Sequence, residues 1–253
     1  MNLQTVRTWI ASGKRKEALD WLKDQSETPD VLLLKAVCID VDKNFHWQRA
    51  VDALSQRPAS KDLLLALGQG ISQARKDLNT ALLETYLLHA IDVATTIGET
   101  IQRIHWIAIL GNFYLRQGQP DKAMLWLQQS VQLSIVHQHH LVTIGQGTIL
   151  AGIWFGQGEI NRVSALSLSI EEAAIQRHNW IALATARNTR ASCLLIRQQE
   201  SEAFQVLMDT GDFLYDKGAV AALNLIKARL GELHLLLGQE KTRSIIQQLK
   251  QAT

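Results

Sequence analysis

Three stretches of this chain share one shape and recur at a fixed interval. They are Leu110-Gly111-Asn112-Phe113-Tyr114-Leu115-Arg116-Gln117-Gly118, Leu150-Ala151-Gly152-Ile153-Trp154-Phe155-Gly156-Gln157-Gly158 and Leu230-Gly231-Glu232-Leu233-His234-Leu235-Leu236-Leu237-Gly238. Gly118 and Gly158 stand 40 residues apart, and Gly238 lies two such steps further on. The same register lands on Gln198 and, backwards, on Leu78. Five units therefore keep one period with no insertion. A fixed period of this length is the signature of an array, in which each unit buries its apolar face only against its neighbours.

Within a unit the apolar residues step by three and four, as Ala123, Leu127, Val131 and Ile135 do. That is the period of an amphipathic helix. Each first helix ends in a polar turn: Gln117-Gly118-Gln119-Pro120-Asp121, Gln157-Gly158-Glu159, Gln198-Gln199-Glu200-Ser201, Gly238-Gln239-Glu240. Glycine suits the left-handed residue that closes a helix. Pro120 suits the first turn of the next, where a missing N–H costs nothing. Second helices end in breaks such as Thr96-Ile97-Gly98-Glu99, Gln138-His139-His140, Arg177-His178-Asn179 and Asp216-Lys217-Gly218.

Leu110, Gly111, Tyr114, Gly118, Ala123 and Leu127 stand at the spacing of the tetratricopeptide motif, and Leu230, Gly231 and Gly238 repeat part of it. The chain resembles that family. The resemblance implies an all-α fold: a right-handed α-solenoid of about seven helical hairpins, a TPR-like superhelix. Ser130 stands where the motif usually has a second Ala, and the usual terminal Pro is absent. The 40-residue unit exceeds the usual motif length. Elongated units of this kind resemble those of maltose-regulator-type transcription factors, Rap-type bacterial peptide sensors and kinesin light chains.

One solenoid is expected over 1–253, with two shorter, less regular hairpins in 1–60 and five of period 40 in 61–253. Trp9 to Leu22 reads as a hairpin around Ser12-Gly13-Lys14, and Asp30 to Asp42 with His46 to Ser55 as a second. The last helix, from Lys241 to about Gln251, reads as a cap with Lys241, Arg243, Gln247 and Lys250 facing water.

Net charge of +2 gives no basis for general nucleic-acid binding. No apolar run approaches a membrane span, and the N-terminus carries no secretory pattern; a cytoplasmic protein without membrane insertion is expected. Cys38 and Cys193 read as two buried, reduced thiols. His137, His139 and His140 read as a solvated loop cluster rather than a metal site. Gly68-Gln69-Gly70 and Gly145-Gln146-Gly147 read as helix-packing glycines, and Glu171-Glu172 as a solvated pair. No spacing supports a catalytic constellation, a cofactor or a metal, so the expectation is a non-enzyme.

The resemblance places ligands on the concave side, which the first helices line. Its ligand-facing positions fall on His105, Asn112 and Arg116 in one unit, on Thr148 in the next, then on Thr185, Asn188, Thr189 and Ser192, then on Arg229 and Glu232. One unit back they fall on Gln69, Ser72, Arg75 and Lys76. Asn donates and accepts together, which suits a peptide backbone; Arg and Lys suit a carboxylate. The expected function is a scaffold or adaptor that holds a peptide or protein segment, one carrying acidic or carboxylate groups. The alternative is the ligand- or peptide-sensing module of a bacterial regulator.

Overall fold

The computed structural model describes residues 2–39 and 43–252, without the side chains of Asn44, Lys250, Gln251 and Ala252. Among the described residues every regular element is an α-helix, fourteen in all. They follow one another along the chain with short turns between them, the helical-repeat pattern of tetratricopeptide-like proteins.

The chain forms two compact units, Met1–Gly118 and Gln119–Thr253. The first holds α1 (Leu3–Ala11), α2 (Arg15–Lys23), α3 (Pro29–Cys38), α4 (Lys43–Ser55), α5 (Lys61–Lys76), α6 (Thr80–Thr96) and α7 (Thr100–Arg116). The second holds α8 (Pro120–Val136), α9 (His140–Gly156), α10 (Ile160–Gln176), α11 (Trp180–Ile196), α12 (Glu200–Asp216), α13 (Val220–Leu237) and α14 (Gln239–Ala252). The helix expected to reach Asp42 is followed to Cys38; residues 40–42 lie outside the described part, as does the side chain of Lys250.

From α6 to α13 every helix starts 20 residues after the last, at Thr80, Thr100, Pro120, His140, Ile160, Trp180, Glu200 and Val220. The elementary step is thus one helix and its turn, and the 40-residue unit is two such steps. The turns that join these helices share one feature. Leu78, Gly98, Gly118, Gln138, Gly158, His178, Gln198 and Gly218 all hold positive φ. In the next residue the N–H reaches the carbonyl five residues back: Asn79 to Ala74 at 3.0 Å, Glu99 to Ala94 at 2.9 Å, Asn179 to Ala174 at 2.9 Å, Ala219 to Leu214 at 2.9 Å. This is the Schellman closure, which pairs carbonyls that a helix end would otherwise leave open. Asn79 and Asn179 then cap the following helix, each accepting at 3.1 Å from the N–H three residues on.

Within each unit successive helices pack on one another, and in the second unit α11 also packs on α13 and α12 on α14. The stripe that faces inward is the one the period implies. Leu110, Leu127, Leu150, Leu183 and Leu207 are fully buried, each stabilising its layer by about 1.5–3 kcal/mol relative to exposure. At the C-terminal end Ile245 is buried while Lys241, Arg243 and Gln247 face solvent. Lys241 also bonds Glu200 of α12 at 2.6 Å. Cys38 and Cys193 are free and buried, and burial raises both thiol pKa values.

The two glycine pairs divide. A Cβ on Gly70 would lie 2.7 Å from the Tyr86 ring, and one on Gly147 would lie 3.0 Å from Ile170. Those two admit close helix contact. A Cβ on Gly145 would meet nothing within 4 Å, and the same holds for Gly231, so neither serves a close approach.

Candidate functional site

In the second unit α9 and α11 both pack on α10. Between them opens a cavity of about 520 Å³, with the buried Ser167 and Ile170 of α10 at its floor. The helix period builds one wall: Thr185, Asn188, Thr189 and Ser192 follow the three-and-four spacing that keeps residues on one face of α11. Thr148 faces them from α9, and Leu225 and Arg229 enter from α13.

Most hydroxyls here already donate to their own helix. Thr148 donates to the Ile144 carbonyl at 2.7 Å, Thr185 to Ile181 at 2.9 Å, Thr189 to Thr185 at 3.0 Å and Ser192 to Asn188 at 3.0 Å. What they offer the cavity is acceptor oxygens. Ser192 Oγ accepts from Arg229 Nη2 at 2.8 Å. Arg229 Nη1 donates to Glu232 at 2.7 Å, a pair whose Glu is 63% exposed and so weakly held. Two polar atoms remain buried without a partner, Asn188 Oδ1 and Arg229 Nε. One is an acceptor and the other a donor, and both side chains line this cavity.

Other expected groove residues line openings of the first unit. In the first unit Arg75, Asn112 and Arg116 line a smaller opening of about 230 Å³ with Leu78, Leu83 and Phe113. Gln69, Ser72 and Lys76 line another, of about 350 Å³, with Arg15 and Trp47. His105 is exposed with its ring edge against Trp106, centroids 5.2 Å apart. Glu232 is exposed and serves as the partner of Arg229. Among the described residues no group of three His, Cys, Asp or Glu side chains is placed to hold a metal, and no helix is long and apolar enough to cross a membrane.

One polar group contradicts its expected setting. Glu172 is exposed, but Glu171 is buried, at 6% relative exposure. Its carboxylate lies 3.1 Å from Arg187 Nε and 3.0 Å from Arg190 Nε, and Arg187 also donates to Thr210 at 3.1 Å. Burial pushes the Glu171 carboxyl above the usual carboxylate range, against the pull of Arg190 and Arg187. The repeat register carried the signal. Arg190 occupies the slot of Leu110, Leu150 and Leu230, and Glu171 the slot of Val131. A charge at a core position needs a countercharge in the neighbouring helix.

No protein family matches the sequence, and no curated protein does. Solved structures do match the fold. Aspartyl phosphate phosphatase F from Bacillus subtilis superposes at a TM-score of 0.52 and 11% identity, over 98% of this chain and 66% of that one. A Rap protein complexed with Competence and Sporulation Factor gives 0.46 at 13% identity, over 92% of this chain and 74% of that one. A Podosopora anserina putative kinesin light chain with nearly identical TPR-like repeats gives 0.48 at 13% identity, over 91% and 93%. At such identities the likeness is one of fold: these are TPR-like repeat proteins, and this chain shares their helical-repeat architecture.

Proposed function

We propose that this TPR-like chain is a non-catalytic interaction scaffold, and that the cavity between α9 and α11 holds a peptide or an extended protein segment. One observation carries the reading. Asn188 Oδ1 and Arg229 Nε are buried, unpartnered and share one cavity. An unpaired buried polar group costs about 1–3 kcal/mol, and a peptide group brings the donor and the acceptor that would relieve both. The acceptor-rich wall of Thr185, Thr189 and Ser192 suits further backbone N–H groups. The apolar floor and sides, Ile170, Phe155 and Leu225, suit one aliphatic side chain. A carboxylate on the segment would compete with Glu232 for Arg229, the cation of this cavity.

Peptides selected from a random display library on the immobilised protein test this. Their binding to Asn188→Ala, to Arg229→Ala and to the double variant is then measured by calorimetry. The double variant is expected to bind about tenfold or more weakly, the scale of one lost charge-assisted bond. Helical circular dichroism should stay unchanged, since both side chains lie outside the core. Selected peptides that bind the double variant with undiminished affinity would rule this cavity out.

A further inference from the structure

The α9–α10 hairpin opens onto two faces. Ala151, Phe155 and Ser167 line the cavity described above, whereas their chain neighbours Leu150, Trp154 and Leu166 line a different cleft of about 530 Å³. That cleft lies between α8 and α10, with Gln128, Gln132 and Ile135 on one side and Arg162 and Ser169 on the other. Its floor is apolar, because Val131, Leu150 and Leu166 are core residues of the repeat.

One group there is buried without a partner, and a weakly paired cation lies beside it. The indole Nε1 of Trp154 is buried and has no acceptor. The Arg162 guanidinium sits over the Trp154 ring, 5.5 Å from its centroid. Among the described residues its one ion pair is a 3.9 Å contact with Glu159, and its side chain is 58% exposed. At that distance and exposure the charge is scarcely neutralised, and a small side-chain rotation would turn the guanidinium's donors onto a bound anion. The one buried, unpartnered group among the described lining residues is thus a donor that calls for an acceptor, and it stands beside a weakly paired cation and an apolar floor. A peptide backbone would bring as many donors as acceptors and would satisfy this set less well.

We infer that the α8–α10 cleft is a second binding site, for a small amphipathic carboxylate. Its carboxylate bridges Arg162 and the Trp154 N–H, and its aliphatic tail covers Ile135, Leu150 and Leu166. The volume falls within the range of small-molecule sites, about 300–1,000 Å³, which pair an apolar lining with few polar anchors.

Calorimetric titration of octanoate into the full chain tests this, with octanol and octylamine as the uncharged and cationic comparisons. Octanoate should bind at one site per chain, octanol more weakly and octylamine not at all. Arg162→Leu should weaken octanoate by about tenfold or more, the scale of one charge-assisted bond. Trp154→Phe keeps an aromatic floor, removes the N–H and should weaken it by several-fold. The Asn188→Ala, Arg229→Ala double variant should bind octanoate as the parent does, which separates this site from the peptide cavity. Helical circular dichroism confirms that each variant folds; if Arg162→Leu does not, Arg162→Gln gives the same comparison. The proposal is overturned if octanoate does not bind, if it binds no better than octanol, if Arg162 and Trp154 substitutions leave its affinity unchanged, or if the Asn188 and Arg229 substitutions abolish it.

Discussion

Glu171 Oε1 lies 3.0 Å from Arg190 Nε, and Arg190 stands where the neighbouring repeats place a core leucine. Leu110 and Leu150, its equivalents, are no more than 1% exposed. The α10–α12 region is therefore held by a buried ion cluster at a place where the rest of the array is held by apolar packing. Removing one member of such a cluster is costlier than never having had it, because the remaining charge stays buried.

Glu171→Ala leaves Arg187 and Arg190 facing each other without a carboxylate, and it should cost about 3 kcal/mol in chemical denaturation. The triple variant Glu171→Val, Arg187→Ile, Arg190→Leu takes the residues that stand at the same register in earlier repeats, Val131 and Leu150 one unit back and Ile107 two units back. It should recover most or all of that stability, since well-packed apolar replacements of buried ion clusters are often neutral or better. A triple variant as unstable as the single one would mean that the cluster's geometry, not its charge, holds α10 to α11.

The repeated turns predict the effect of their own exceptions. Gln198 holds φ 61° where Gly118 and Gly158 hold φ 67° and 77°. A side chain in that region is disfavoured by about 1–2 kcal/mol per residue, partly offset by the greater freedom of glycine in the unfolded chain. Gln198→Gly should therefore raise the melting temperature, and Gly118→Ala should lower it. A Cβ on Gly118 would meet nothing within 4 Å, so the loss would come from backbone conformation alone. Equal melting temperatures for all three proteins would contradict this account of the turns.

Gly70 and Gly145 should respond oppositely to the same substitution. Gly70→Ala puts a methyl 2.7 Å from the Tyr86 ring, and such overpacking costs about 1–3 kcal/mol. Gly145→Ala lies mid-helix in open space and should stabilise by about 0.5–1 kcal/mol through helix propensity. Denaturation midpoints of the two variants, compared with the parent, check the sign of each.

Alkaline pH should destabilise the first unit through two tyrosines. Burial raises the Tyr86 phenol to about 12, with a smaller push from the Asp52 charge. Burial and its hydrogen bond to Glu84, 2.6 Å long, raise Tyr114 to about 12. A phenol whose folded pKa lies above its unfolded value contributes stability that is intact below pH 10 and declines as pH rises towards 12. In a Tyr215→Phe variant the two remaining tyrosines should develop phenolate absorbance only together with loss of helical signal. Absorbance that rises near pH 10 with the helices intact would show that the two rings are solvated.

Much of this fold is local, and local features were legible in the sequence. The three-and-four spacing from Ala123 to Ile135 and the turn at Gly118 depend on residues within a few positions of one another. Side-chain period and left-handed closure act at that range, so helices and turns followed from the order of residues. Even the polar stripe Thr185, Asn188, Thr189, Ser192 could be placed on one helix face by counting. What tertiary structure decided were matters of which helices touch. Gly70 is pressed on by Tyr86 and Gly145 by nothing, though both interrupt similar apolar runs. Glu171 finds Arg187 and Arg190 on the next helix, while its neighbour Glu172 meets water. Within the first unit Gln69, Ser72 and Lys76 line one opening and Arg75, Asn112 and Arg116 another, and within the second Trp154 and Arg162 line a cleft apart from that of Thr185 and Asn188. A helix period gives the face on which a side chain lies; the neighbour that face meets, and so whether its charge is paired, buried or left wanting a partner, is set by packing across 16 residues or more of chain.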